Sequence, residues 1–243
     1  MKDGLLLGIL VFYPFLGGLL AYFVGKRSEK IRNALASVVV LSEFAIMMYF
    51  FVTYGPVVDS SEPVHAFARL TIPRICGLGI HFTLDVFRVI YGGIVAFMWS
   101  GATLLSGEYF KHHIDTNRFY LFLLWTLGAT MAVFLSEDLF TTFIFFEIMS
   151  FTSYTWVAQE ENKESLRAAA TYLAVAVIGG LIMLMGLMII YQELGTVVIR
   201  ELLDATTSYA GNKIWIYAAR LCMFFGFAAK AGAFPLHIWL PKA

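Results

Sequence analysis

What most constrains this chain is a succession of hydrophobic stretches about 20 residues long, the length that crosses a bilayer core as an α-helix. Seven run at roughly 4–25, 33–54, 86–106, 119–135, 139–158, 168–191 and 214–240. The first starts at residue 4 without a small-residue cleavage site, so it reads as a retained span and not a removable leader. Composition agrees: 60% of the 243 residues are hydrophobic, 16% aromatic and 14% charged, against about 25% charged in an ordinary soluble domain. Seventeen basic residues balance 17 acidic ones, which excludes the basic footprint of a nucleic-acid binder and a polybasic lipid anchor. The two cysteines, Cys76 and Cys222, lie far apart with no CxxC spacing. A disulfide framework, a zinc site and a cysteine-held iron–sulfur cluster have no support. The expected fold is an all-α polytopic membrane protein with seven transmembrane helices, no metal and no cofactor in the chain.

The loops predict orientation. Segments 26–32, 107–118 and 159–167 with the C-terminus carry Lys26, Arg27, Lys30, Arg32, Lys111, Arg118, Lys163, Arg167 and Lys242, nine in all. The opposite set, Lys2, Arg69, Arg74, Arg200 and Lys213, has five. The excess puts the N-terminus outside and the C-terminus in the cytoplasm. In one external loop, Ile80-His81-Phe82-Thr83-Leu84-Asp85 alternates in polarity after Gly77-Leu78-Gly79, which predicts a short β-hairpin. In the other, 193–213, a short surface helix is expected around Val197–Leu203.

Ionisable groups at membrane depth are the informative residues, because each costs a few kcal/mol or more unless it meets a partner or a wet cavity. Glu147 lies ninth of the 19 residues from Leu139 to Val157, with Ser150, Phe151 and Tyr154 along its helical face. It reads as a working carboxyl or as a protonated acid bonding a neighbouring helix. Lys230 lies deep in the last span, where desolvation works against the ammonium and suits the side chain to proton exchange. Pro235 cannot donate to a carbonyl one turn back, and Gly226 and Gly232 permit bending, so a helix break is expected just beyond the lysine. Unwound backbone beside a buried charge is how carriers line a cavity; the alternative is a plain proline kink with an incidental lysine. Glu43, inside the second span beside Ser42, reads either as a helix–helix or subunit contact or as a relay group. His237 reads either as a relay or as a solvated interfacial histidine. Arg220 reads as a snorkelling interface anchor, His112 and His113 as exposed loop residues, and Glu137 and Asp138 as a solvated turn.

Two of these regions carry a resemblance. Ser136-Glu137-Asp138-Leu139-Phe140, continuing through Phe146-Glu147 to Ser153-Tyr154, resembles the fifth helix of antiporter-like membrane subunits. Ala229-Lys230-Ala231-Gly232-Ala233-Phe234-Pro235-Leu236-His237, with Trp239-Leu240-Pro241, resembles their seventh. That family includes membrane subunits of complex I (NADH–quinone oxidoreductase), group 4 membrane-bound hydrogenases and Mrp-type cation–proton antiporters. The resemblance covers the whole chain in order. It implies that Glu147 and Lys230 form a coupled pair that loads and releases protons along a hydrated chain, within a redox-driven assembly whose electrons flow in other subunits.

The family's usual pattern has about fourteen helices in two inverted five-helix repeats. On that pattern, residues 1–118 form helices 1–3 with the external hairpin, and 119–243 form helices 4–7, an incomplete first repeat. The basic residue of helix eight and the broken helix twelve have no counterpart here. Span six carries no carboxylate after Gly179-Gly180, and Trp-Leu-Pro-Lys leans toward the hydrogenase-related branch. The expected partners are other membrane subunits, including a chain that supplies helices 8–14. Two further readings stand beside transport. One is a non-transporting scaffold in the same assembly. The other is a retinal-type seven-helix protein, against which stand the lack of a carboxylate in span three (Phe87 to Gly107) and the broken end of span seven.

Overall fold

The computed structural model describes residues 2–54, 66–110 and 116–240. The calls on Lys111, His112, His113, Pro241 and Lys242 lie outside the described residues. The element order is α1 (Lys2–Gly25), α2 (Glu29–Tyr54), β1 (Ala68–Ile72), β2 (Ile80–Leu84), α3 (Val86–Tyr109), α4 (Asn117–Leu135), α5 (Leu139–Val157), α6 (Lys163–Leu194), α7 (Leu202–Ser208) and α8 (Lys213–Ala231), followed by a 3₁₀ turn at Leu236–Trp239. The chain divides into two compact units, Met1–Ser136 and Glu137–Ala243.

The first unit holds α1 to α4 and the hairpin. α1 packs on α4 and α2, and α2 packs on α3. Small residues set these approaches: Gly17 meets Val39, Gly18 meets Trp125, and Gly92 meets Met47. Indole donors tie the helices at depth, Trp125 Nε1 to the Phe15 carbonyl at 3.0 Å and Trp99 Nε1 to that of Leu123 at 3.0 Å. With no water to satisfy a buried N–H, such side chains must find a carbonyl. α4, the helix expected to open a second domain at residue 119, packs in this unit, because Trp125 and Gly18 lock it to α1.

The two strands pair antiparallel from Ala68↔Leu84 to Ile72↔Ile80. Their connection uses positive φ at Arg74 (70°), Cys76 (48°), Gly77 (79°) and Gly79 (83°). Asp85 lies past the strand and caps α3, accepting from the Arg88 N–H at 2.9 Å. Arg88 closes the cap by also donating to Asp85 and to the Ser136 carbonyl.

The second unit holds α5 to α8. Asp138 is not a solvated turn residue. It is 2% exposed and caps α5, accepting from the Thr141 N–H at 2.8 Å and hydroxyl at 2.7 Å. Backbone bonds from Leu139 to Val197 and from Ile199 to Glu137 bind the α6–α7 loop to this start. That pairing consumes Val197–Ile199, so α7 begins at Leu202, later than the periodicity predicted. α6 packs against both α5 and α8. Gly179 meets Ala229, Gly226 meets Met183, and Gly186 meets the Ala219 backbone. A run of small residues thus lets α8 approach α6 closely.

Among the described residues, six helices are long and apolar enough to cross a membrane, where the sequence predicted seven. α5 is not among them: Thr141, Thr142, Glu147, Ser150, Thr152, Ser153 and Thr155 dilute its apolar content. The last of the six runs Lys213–Trp239 and contains the break after Ala231.

Candidate functional site

α8 stops one residue after Lys230. Gly232 takes a left-handed conformation (φ 66°), in which a Cβ would be strained, and its N–H closes on the Ala228 carbonyl. The Ala233 N–H takes the same carbonyl at 3.0 Å, which leaves that of Ala229 without its helical donor. Trp239, folded back by the 3₁₀ turn, fills the gap: its Nε1 donates to Ala229 O at 2.9 Å. The Phe234–Pro235 peptide is cis. The break therefore begins at Gly232, three residues before Pro235.

The Lys230 ammonium points into a nest of hydroxyls. It donates to Ser150 Oγ at 3.0 Å, to Ser153 Oγ at 3.4 Å and to Tyr172 Oη. A lysine has three N–H donors, and each finds an oxygen. The Nζ also lies 4.7 Å from the centre of the Tyr172 ring. Tyr172 and Ser153 share a further bond at 2.6 Å. The Tyr172 ring packs on Trp239 with centroids 4.9 Å apart, so the residue that repairs the helix break also braces the tyrosine.

Glu147 sits one turn before Ser150 on α5. The geometry does not join it to Lys230: no carboxylate oxygen lies within ion-pair distance of the Nζ among the described residues. Each charge nonetheless lies in the other's field. The Glu147 carboxyl lies over Gly180 of α6, where a Cβ would collide with it. Its Oε1 is buried and has no hydrogen-bond partner among the described residues. The site thus holds a satisfied ammonium and, a helical turn away, an unsatisfied carboxyl in a glycine notch.

Comparisons with known proteins bear on this arrangement. Residues 136–243, which hold all of it, match the family model described as NADH:quinone oxidoreductase/Mrp antiporter, TM. Over these residues the chain is similar to antiporter-type membrane subunits. It is 28% identical over 234 residues to a subunit of the Na(+)/H(+) antiporter of Alkalihalophilus pseudofirmus, covering 95% of this chain and 28% of that protein. It is 27% identical over 254 aligned positions to NADH-quinone oxidoreductase subunit M of Escherichia coli, covering 98% of this chain and 48% of that one. The chain therefore spans less than half the length of these relatives. Its fold matches a chain of an archaeal respiratory membrane complex, the membrane-bound sulfane sulfur reductase, with a TM-score of 0.79 at 20% identity over 97% of this chain and 47% of that one. It also matches a chain of respiratory complex I from Thermus thermophilus with a TM-score of 0.77 at 22% identity, over 97% and 46%. The apolar helices and the similarity to membrane subunits support an integral membrane location.

The other expected site residues lie apart from the Lys230 cluster. His237 is exposed and stacks on Phe234 at 5.5 Å, and none of the cluster's hydrogen bonds reaches it. Arg220 is exposed on α8, with its guanidinium 6.0 Å from the centre of the Tyr217 ring. Glu43 is fully buried in the first unit, and neither of its oxygens has a partner among the described residues. Among the described residues, no group of three His, Cys, Asp or Glu could hold a metal ion. Sequence reasoning missed Tyr172, Gly180 and Trp239. It placed Tyr154 along the Glu147 face, where the cluster instead uses Ser153.

Proposed function

We propose that this chain is an ion-translocating part of an antiporter-like membrane subunit, and that Lys230 carries the proton it moves. The observation behind this reading is the Lys230 ammonium itself, held on the broken end of α8 by Ser150, Ser153 and Tyr172 and not by a carboxylate. Hydroxyls both donate and accept, so the same nest can hold the ammonium or relay its proton onward, each hydroxyl accepting one proton as it releases its own. Glu147 acts as the control charge. As an anion it stabilises the ammonium through space, and when it turns neutral or withdraws, that support is lost.

In this reading α5 crosses the membrane as a seventh span despite its polar content, because Ser150 and Ser153 turn toward Lys230 and Tyr172 and its threonine hydroxyls bond oxygens of α5 and its Asp138 cap. α4 to α8 then form the start of an antiporter-like repeat, with the N-terminus outside and the C-terminus in the cytoplasm. The partners are membrane subunits of a redox-driven or cation–proton antiport assembly, including a chain that supplies further helices. The chain itself carries no redox centre, and the ion is a proton or a sodium ion exchanged against one.

The test is ion transport by the intact assembly in native membranes. Glu147→Gln and Lys230→Ala are each expected to abolish coupled transport while the assembly still forms and any electron transfer continues. Full transport by both variants would falsify the assignment and leave the scaffold reading.

A further inference from the structure

The first unit contains a titratable group that the Lys230 site does not use. Glu43 is 0% exposed at the middle of α2, and both carboxyl oxygens are without a partner among the described residues. An ionised carboxylate in such a place has nothing to offset the water it has lost. Among the described residues, no counter-charge faces it from the helices packed around it. Between Tyr91 and Glu108, α3 has no titratable residue. Nor does α4 between Tyr120 and Leu135, and α1 has only Tyr13 between Asp3 and Tyr22. On α2 itself, the nearest charged residue on either side is Arg32, at the start of the helix.

A neutral acid avoids that cost. Pro14 lies in the buried face of α1 and cannot donate to the Leu10 carbonyl one turn back, and neither Glu43 oxygen bonds a group among the described residues.

A line of hydroxyls leads away from this acid. Ser100 Oγ reaches across to the Val40 carbonyl at 3.2 Å, one turn from Glu43. Thr103 Oγ1 follows on the same side of α3, buried and without a partner among the described residues. Ser106 Oγ comes next and bonds the Tyr120 hydroxyl at 3.0 Å. The Arg32 guanidinium lies 4.8 Å from the centre of the Tyr120 ring and donates to Asn117 Oδ1 at 2.6 Å. The three α3 hydroxyls are spaced three residues apart, a rise of about 4.5 Å each along the helix axis, a step that a transient water can span during proton transfer.

We infer that Glu43 is a second proton-binding site, a neutral carboxylic acid inside the first unit reached from the Arg32 end of α2 through Ser100, Thr103, Ser106 and Tyr120. The ligand is the proton, delivered along hydroxyls and water. The inference does not depend on the Lys230 site.

Infrared spectroscopy of the full chain in lipid bilayers at neutral pH tests it. The carbonyl stretch of a protonated carboxylic acid should be present in the wild type and in Glu147→Gln, and lost in Glu43→Gln. In Thr103→Val the band should remain while its shift on transfer to D₂O slows several-fold. If Glu43→Gln does not accumulate, a hydrophobic carbodiimide, which modifies protonated carboxyls, should label the Glu43 peptide of the wild type, as read by mass spectrometry. A carboxylate band assigned to Glu43 at neutral pH, or an unlabelled Glu43 peptide, overturns the site. Exchange as fast in Thr103→Val as in the wild type overturns the hydroxyl route.

Discussion

Two glutamates sit at mid-helix in this chain, one in each unit, and their surroundings differ in kind. Glu43 is sealed among apolar side chains, with no cation near it among the described residues and hydroxyls only at one-turn steps. Glu147 is half-buried beside a glycine notch, in the field of a lysine whose own bonds are complete without it. Both would be flagged as costly charges in an apolar run. What separates them is the neighbouring helix: α3 offers Glu43 nothing that ionises, whereas α8 breaks where it brings Lys230 to α5. A carboxyl becomes a control element when a second charge can respond to it, and a storage site when none can.

The sharpest way to break that contrast is to fill the notch. Gly180→Ala puts a methyl group where the Glu147 carboxyl lies, so the carboxyl must turn out of its place while Lys230 keeps its three hydroxyls. Transport by the intact assembly is expected to fall on the order of a hundredfold, the loss that follows when a group in a site is misplaced by about 1 Å. Assembly should be unchanged on a native gel. Transport equal to wild type would show that the position of Glu147 does not matter to Lys230.

A smaller effect is expected from Tyr172→Phe. It removes one of three acceptors from the ammonium and the partner of Ser153, and keeps the ring that packs on Trp239. A hydrogen bond to a charged group contributes about 1.5–3 kcal/mol, so transport should drop by on the order of tenfold with a shifted pH profile. The profile is the discriminating measurement, because a purely packing role for Tyr172 would leave it where it was.

The sequence exposed the charges of this site but not its wiring. Lys230 and Glu147 stand out because an ionisable residue inside an apolar run is chemically unusual at a single position. Tyr172 and Gly180 do not, since a tyrosine or a glycine in an apolar helix is ordinary until the facing helix is known. Tyr172 meets Lys230 across 58 residues of sequence, a separation that no local pattern encodes. Trp239 was read as part of a motif; its use as a substitute donor to Ala229 depends on the helix stopping at Gly232. The allegiance of α4 was hidden for the same reason, since the Trp125–Phe15 bond spans 110 residues. The hairpin was readable because both strands and their glycine turn lie in one short stretch. α5 passes as an apolar stretch in the sequence because its hydroxyls, taken one by one, look harmless.

The smallest expected effect also bears most directly on the comparison between units. Thr103 Oγ1 is buried with no partner among the described residues, whereas Ser150 Oγ, equally buried, accepts from the Lys230 ammonium. Replacing an unpaired buried hydroxyl by a methyl of the same shape removes a desolvation penalty and breaks no bond, so Thr103→Val should leave thermal stability unchanged or raise it slightly, by about 1 kcal/mol at most. Ser150→Ala removes an acceptor from a buried cation and should lower stability by roughly 1–3 kcal/mol. Thermal unfolding of the two variants in the same detergent decides the matter. If Thr103→Val is the more damaging, its hydroxyl holds a water or a carboxyl that the first unit needs for its fold, and the two units solve the problem of a buried acid in the same way.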